Sequence, residues 1–302
     1  MSARQSSATA PAARTEAWAP GSCAGEARAL GGFLRTLELP AADAGAHADA
    51  FGRLRAGDLQ AIVLHGVYPQ AALSRAVDRL ERNEPGFLQT WFPERFRAWF
   101  YGRNLNLADP ALPGYFDEAA RFQAQLETLF APLPGIESHV GRLLACLDRS
   151  RPFVAAPGPE AGARYMFTTL RAHTEGGFIP AHFDNEQRLR ESFGHLRGLV
   201  ELHTTSFVLA LSMAEAGGAL EVFDLSVAPE EARLISDDRA RDKPDITQLA
   251  SVSFRLPPGT LIVLDSGRLL HRLTPVAGAG KRWTACSFMA LARGGAATYC
   301  WG

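Results

Sequence analysis

The stretch IPAHFDNE, residues 179–186, holds two metal-binding side chains two positions apart, His182 and Asp184. The spacing alone is weak evidence. With 8 His and 32 Asp plus Glu in 302 residues, chance supplies about one His-x-acid triplet, and three occur: His47-Ala-Asp49, His173-Thr-Glu175 and His182-Phe-Asp184. Local structure separates them. His47 and Asp49 lie in a helix-like Ala/Gly-rich stretch, where residues two apart diverge. His173-Thr-Glu175 runs into Gly176-Gly177, a turn. On extended backbone, His182 and Asp184 share one face and Phe183 takes the other. That pair is a two-point grip for a divalent metal, and a selective site needs a third ligand.

His271, in GTLIVLDSGRLLHRLTPV, is the candidate third ligand. Eleven residues on, Arg282 opens an apolar final strand, with Thr284 and Cys286 on the same face. An inward-facing arginine there requires an anionic partner. Its planar fork suits a carboxylate, and Thr284 can donate to the same group. Taken singly, His271 also fits a hydrogen-bonded core histidine and Arg282 a surface ion pair. Together and in this order the residues point to a site.

The elements that must position them change character along the chain. Residues 69–83, 115–133 and 135–149 carry apolar side chains at helical spacing, such as Leu73, Ala76, Val77 and Leu80. The pattern predicts a mostly helical N-terminal region over 29–160, with a short apolar strand at Ala61–Leu64. From 164 onward eight strand-like runs follow: 164–173, 178–184, 203–213, 218–225, 251–256, 259–265, 269–276 and 282–292. Eight such strands predict two facing sheets. The fold class is therefore α+β with a mainly β core: a double-stranded β-helix of the jelly-roll or cupin-like kind under a helical N-terminal layer. The core spans 161–302, with charged inserts at 185–202 and 226–250 that read as lids or disorder.

Composition sets outer bounds. A hydrophobic fraction of 47% with 21% charged residues is that of a globular protein, long enough for a full core. A net charge of −1 without a basic stripe or aromatic platform gives no reason to expect nucleic acid as partner. No apolar run approaches membrane-spanning length. Residues 1–28, rich in Ala, Ser, Pro and Gly, read as a disordered leader without a secretory h-region. Four unpaired cysteines fit free thiols in the cytoplasm. Oligomeric state is not legible.

The sequence resembles the iron(II)- and 2-oxoglutarate-dependent oxygenases. EGGFIPAHFDNE is similar to the family's first metal strand, GGALEVFDL to its Gly-Gly turn and following strand, and GTLIVLDSGRLLHRLTPVAGAGKRWTACSF to its distal stretch. The match covers about 164–292. The resemblance implies that His182, Asp184 and His271 form the two-histidine, one-carboxylate triad of non-haem iron enzymes. It implies Fe(II), 2-oxoglutarate and O2 as cofactor and cosubstrates, with Arg282 and Thr284 on the distal carboxylate of 2-oxoglutarate. Halogenating members usually carry a small residue in place of the acidic ligand. Asp184 is retained here, so the expected reaction is hydroxylation of an unactivated C–H, with desaturation or ring formation open to the same ligands. No second contact for the cosubstrate follows from the resemblance.

Substrate contacts are less legible. Alternation puts Thr169, Arg171 and His173 on one face, so Arg171 and His173 would meet a polar or anionic substrate if that face looks inward. Arg188, Arg190 and Arg197 would line a lid or solvate a helix. The breadth of the family favours a small-molecule substrate, such as a free or carrier-bound amino acid or a natural-product intermediate. A peptide or protein substrate comes next. A cupin-like metalloenzyme without 2-oxoglutarate would leave Arg282 and Thr284 idle, and a silent binding domain would leave the ligands without purpose.

Overall fold

The computed structural model describes residues 14–21, 25–108, 112, 114–231, 235 and 243–302. In chain order its strands are β1 (Thr15–Ala17), β2 (Ala27–Leu30), β3 (Leu34–Pro40), β4 (Ala61–His65), β5 (Gln89–Trp91), β6 (Ala98–Tyr101), β7 (Phe153–Ala155), β8 (Thr169–His173) and β9 (Ile179–His182). They continue with β10 (Thr205–Ala210), β11 (Ala216–Gly217), β12 (Leu220–Ser226), β13 (Ser251–Phe254), β14 (Leu261–Leu264), β15 (Leu269–Leu273), β16 (Val276–Ala277), β17 (Arg282–Leu291) and β18 (Thr298–Trp301). The α-helices are α1 (Ala50–Ala56), α2 (Gln70–Glu81), α3 (Tyr115–Leu129), α4 (Ile136–Cys146) and α5 (Gly194–Leu199).

The eight expected runs all form strands, four in each of two sheets. The small sheet runs β1-β13-β12-β15-β9, and the large one contains the path β14-β10-β17-β8. This is the jelly-roll arrangement expected. The large sheet is buried on both faces, which explains its unbroken apolar strands. On β4 and β14, Ala61, Val63, Ile262 and Leu264 pack toward Val222, Val252 and Phe254 of the small sheet. Their neighbours Ile62, Leu64, Leu261 and Val263 join the second core, with Leu73 of α2, Phe122 of α3 and Leu144 of α4. The helical spacing of Leu73, Ala76 and Leu80 thus reports the face of α2 that covers the sheet.

Two regions hold more strand than expected. Over 29–160, expected to be mostly helical with a short strand at Ala61–Leu64, α1–α4 form and that strand is β4; in addition β3 joins β4 to extend the large sheet beyond β14, and β6 and β5 extend it beyond β8. Short strands suffice at these positions because each leans on an existing edge, and the apolar cluster Trp99-Phe100-Tyr101 is buried there. The leader expected over 1–28 falls partly outside the described residues, at 1–13 and 22–24. What is described of it is ordered. β1 pairs in parallel with β13, and Trp18 is buried against Phe254 and stacked on His65. Much of the 226–250 insert also lies outside the described residues. The 185–202 insert forms short helical turns, including α5. No described helix is long and apolar enough to cross a membrane. Cys146, Cys286 and Cys300 are free thiols.

Candidate active site

β9 and β15 are antiparallel neighbours in which His182 and His271 face each other directly. Their rings lie 4.3 Å apart between centroids. β9 ends at His182, Phe183 stays extended (φ −112°, ψ 138°), and the chain then turns. The extended step brings Asp184 back to the face of His182, and the Asp184 N–H donates to the Ser266 carbonyl at 2.9 Å. Asp184 Oδ1 lies 3.3 Å from His182 Nε2, and Oδ2 lies 3.7 Å from His271 Nε2. One ligand atom from each of the three residues falls within 4.8 Å of the others.

Both imidazoles are held in the tautomer a metal needs. His182 Nδ1 donates to the Pro180 carbonyl and His271 Nδ1 to the Leu269 carbonyl, each at 2.9 Å. A carbonyl only accepts, so in the neutral ring the proton sits on Nδ1 and Nε2 is the atom each imidazole offers to the triad. Burial alone would raise the Asp184 carboxyl, but the charges of His271 and His182 outweigh it and hold the group well below the usual carboxylate range. Burial, and then the nearby charge of His182, pulls His271 down to about 4. For His182 burial favours the neutral ring, yet the hydrogen bond and charge of Asp184 prevail and raise its pKa. An ionised carboxylate beside two imidazoles whose Nε2 atoms face it is a donor set that fits a divalent transition metal, which displaces the proton of His182 on binding.

The large sheet supplies the opposite wall. On β17 and β8, Arg282 faces His173 and Thr284 faces Arg171 across the strands. Arg282 is only 8% exposed, and among the described residues it has no carboxylate partner. Burial foremost, with the charge of Arg171 adding to it, lowers its pKa to about 10. His173 is 1% exposed and neither ring nitrogen has a hydrogen-bond partner. Burial, then Arg282 and Arg171, holds it neutral, far below an ordinary histidine. Behind Arg282 the chain turns at Gly217-Gly218. A Cβ on Gly218, whose φ is +60°, would stand 3.0 Å from Arg282 Cδ, so the turn needs glycine both for its backbone and for the guanidinium's stem.

Two cavities meet at the triad. An inner one of about 60 Å³ is lined by His182, Asp184, His271, Arg282, Thr284 and His173, among others. An outer one of about 400 Å³ shares His182, Asp184, Arg171 and Phe288 with it, and opens past Phe92, Phe96, Asn104 and Asn106. Of the expected substrate contacts, Arg171 lies at the junction of the two cavities and His173 only in the inner one. Arg188 is not brought to the site. Its guanidinium donates to the carbonyls of Pro229 and Asn185, and it lines a separate cavity with Phe193 and Trp301. The walls at Phe92–Phe96 and Asn104–Asn106 went unread in the sequence. The aromatic run WFPERFRAWFY, residues 91–101, was the available signal.

A family model described as "Carrier-protein-independent halogenase WelO5" matches residues 33–302. A search of curated proteins found no matching relative. Among solved structures the chain is similar to an N-substituted L-amino acid dioxygenase in complex with alpha-KG from Burkholderia ambifaria AMMD. The identity is 15%, the TM-score 0.55, and the match covers 84% of this chain and 91% of that one. A second structure of that dioxygenase from the same organism matches at 15% identity with TM-score 0.53 over the same shares of both chains. At this identity the structural likeness speaks to the fold, the jelly roll already described. The family match spans nearly the whole chain and includes every residue of the triad. The chain therefore belongs to this WelO5 family of iron(II)- and 2-oxoglutarate-dependent oxygenases, enzymes that use Fe(II), 2-oxoglutarate and O2.

Proposed function

We propose that the protein hydroxylates an unactivated C–H bond of a small molecule. The carrying observation is Asp184. It places an ionised carboxylate between the two histidines, 3.3 and 3.7 Å from their Nε2 atoms. A halide on the same metal would need a coordination position and a place for its negative charge, and Asp184 fills both. Halogenation has the family's description in its favour and this carboxylate against it.

In this reading His182, Asp184 and His271 hold the metal. When bound, the iron supplies the redox chemistry that couples oxidative decarboxylation of 2-oxoglutarate to substrate oxidation. The protein's own side chains do the positioning. Arg282 forks onto the distal carboxylate of the cosubstrate, Thr284 donates its hydroxyl, and neutral His173 donates its ring N–H from the neighbouring strand. That makes His173 a cosubstrate contact rather than the substrate contact the sequence suggested. Leu220, Leu264 and Leu273 wall the inner cavity with apolar surface, which keeps water from the reacting groups and strengthens these charge contacts.

The test is product analysis. With Fe(II), ascorbate and 2-oxoglutarate the protein should form succinate, and a panel of small amino-acid and natural-product substrates should include one that gains a single oxygen atom, even with chloride or bromide present. A halogenated product from the unaltered protein would overturn the reading. Asp184→Gly should lose hydroxylation.

A further inference from the structure

We infer that the outer cavity selects a substrate with a flat apolar body and one carboxylate, and that Arg171 receives the carboxylate. The inference rests on the oxygenase reading above and names the substrate class of that same site. Arg171 stands at the junction of the two cavities. Its guanidinium lies 5.3 Å from the ring centre of Phe100 and 5.5 Å from that of Phe288, so two aromatic faces hold it in place. It has no carboxylate partner among the described residues, and its Nε is buried without a hydrogen-bond acceptor. A cation held on aromatic faces beside a cavity, with a buried donor that the chain leaves unpaired, is built to receive an acceptor from outside the chain.

The rest of the outer cavity agrees in charge and shape. Arg95 and Arg190 also line it, and Phe92 and Phe96 form an aromatic wall. Two carboxylates oppose these cations. Asp184 is committed to the metal site, and Glu186 accepts the backbone N–H groups of Ile235 at 3.0 Å and Phe183 at 3.5 Å. Arg171 and Arg190 thus bring cationic groups to this cavity. Asn106 adds a buried carboxamide oxygen without a partner, an acceptor for a substrate N–H or O–H. Arg282 and His173 lie in the inner cavity, so the cosubstrate's distal carboxylate and the substrate's carboxylate have separate receivers.

The experiment uses near-isosteric pairs in which a neutral amide replaces the carboxylate: indole-3-acetate and indole-3-acetamide, phenylacetate and phenylacetamide, N-acetylphenylalanine and its amide. Protein loaded with Mn(II) and 2-oxoglutarate, which does not turn over, is titrated calorimetrically with each. At least one carboxylate should bind tenfold or more tightly than its amide. Arg171→Gln should abolish that preference while leaving 2-oxoglutarate affinity within threefold of the parent. The proposal fails if no carboxylate outbinds its amide, or if Arg171→Gln weakens 2-oxoglutarate as much as it weakens the carboxylate probe; in the latter case Arg171 serves the cosubstrate. Succinate formation by the iron-loaded parent is scored separately, so failure here is distinguishable from failure of the oxygenase reading.

Discussion

Replacing Arg282 by leucine should push two measurable quantities in opposite directions. The guanidinium is nearly fully buried and, among the described residues, has no carboxylate partner. Its folded pKa of about 10 lies below the ordinary 12.5, with loss of hydration the largest cause. A cation whose folded pKa is lower than its unfolded one destabilises the fold at every pH below that folded value. At neutral pH the depression amounts to about 3 kcal/mol. Leucine removes that cost and keeps most of the packing, so the ligand-free variant should melt higher, by about 2 °C per kcal/mol recovered in a chain of this size. Binding should move the other way. Breaking a buried charge pair by removing one partner costs about 3–5 kcal/mol. Thr284 and His173 remain to donate, which favours the lower end, or roughly a hundredfold in the Kd for 2-oxoglutarate.

The assay is a pair of measurements on Mn(II)-loaded protein: thermal unfolding without cosubstrate, and calorimetric titration with it. The expected variant is more stable when empty and nearly blind to 2-oxoglutarate. If Arg282→Leu melted several degrees lower and bound 2-oxoglutarate like the parent, Arg282 would be a structural cation, and its place in the site would be refuted.

Metal binding should weaken on acidification in a one-proton step. Below the raised pKa of His182 a proton competes with the metal for Nε2, at about tenfold per pH unit, whereas His271, at about 4, stays available until far lower pH; Mn(II) titrations across pH check this, and a pH-independent affinity would contradict it. His182→Ala should cost more than the roughly 10–100-fold that follows loss of a mere outer partner. Gly218→Ala should lose about 1–3 kcal/mol of stability through its positive φ and also weaken 2-oxoglutarate by crowding Arg282; Gly32→Ala, at φ +77° with no neighbour within 4 Å, should share the first effect and not the second. His173→Phe should raise the 2-oxoglutarate Kd about tenfold through loss of one buried donor, and His173→Gln should restore most of it; equal affinity in parent and Phe variant would remove His173 from the cosubstrate site.

The parts of the fold legible in the sequence are those where local pattern and tertiary environment agree. The eight runs from 164 onward alternate or run apolar, and in the fold each is buried by a facing sheet or a covering helix. The strands at 27–30, 89–91 and 98–101 were unreadable for the converse reason. They are three or four residues long and exist because an edge of the large sheet is there to receive them. The same limit governs the site. His182 and Asp184 are two apart, so the extended step at Phe183 decides their meeting, and that step is visible in IPAHFD. That His271 stands directly opposite His182 is a matter of register between β9 and β15, which no local spacing encodes.

Register also explains why Arg171 and Arg188 part company, although both are arginines close in sequence to the metal strand. Arg171 lies on β8 opposite Thr284 and Phe100, and strand alternation commits its side chain to the interior, where carbonyl acceptors are already taken by the sheet. Arg188 lies in a helical turn whose neighbouring chain offers it the carbonyls of Pro229 and Asn185. A guanidinium in a turn can find local acceptors and be satisfied. One on an inward strand face cannot, and must wait for a ligand's oxygen. By that argument Arg171, Arg282 and His173, inward groups of β8 and β17 that no carboxylate or carbonyl of the described residues satisfies, mark where the molecule expects carboxylates, and removing any of them should change ligand affinity more than it lowers the stability of the empty protein.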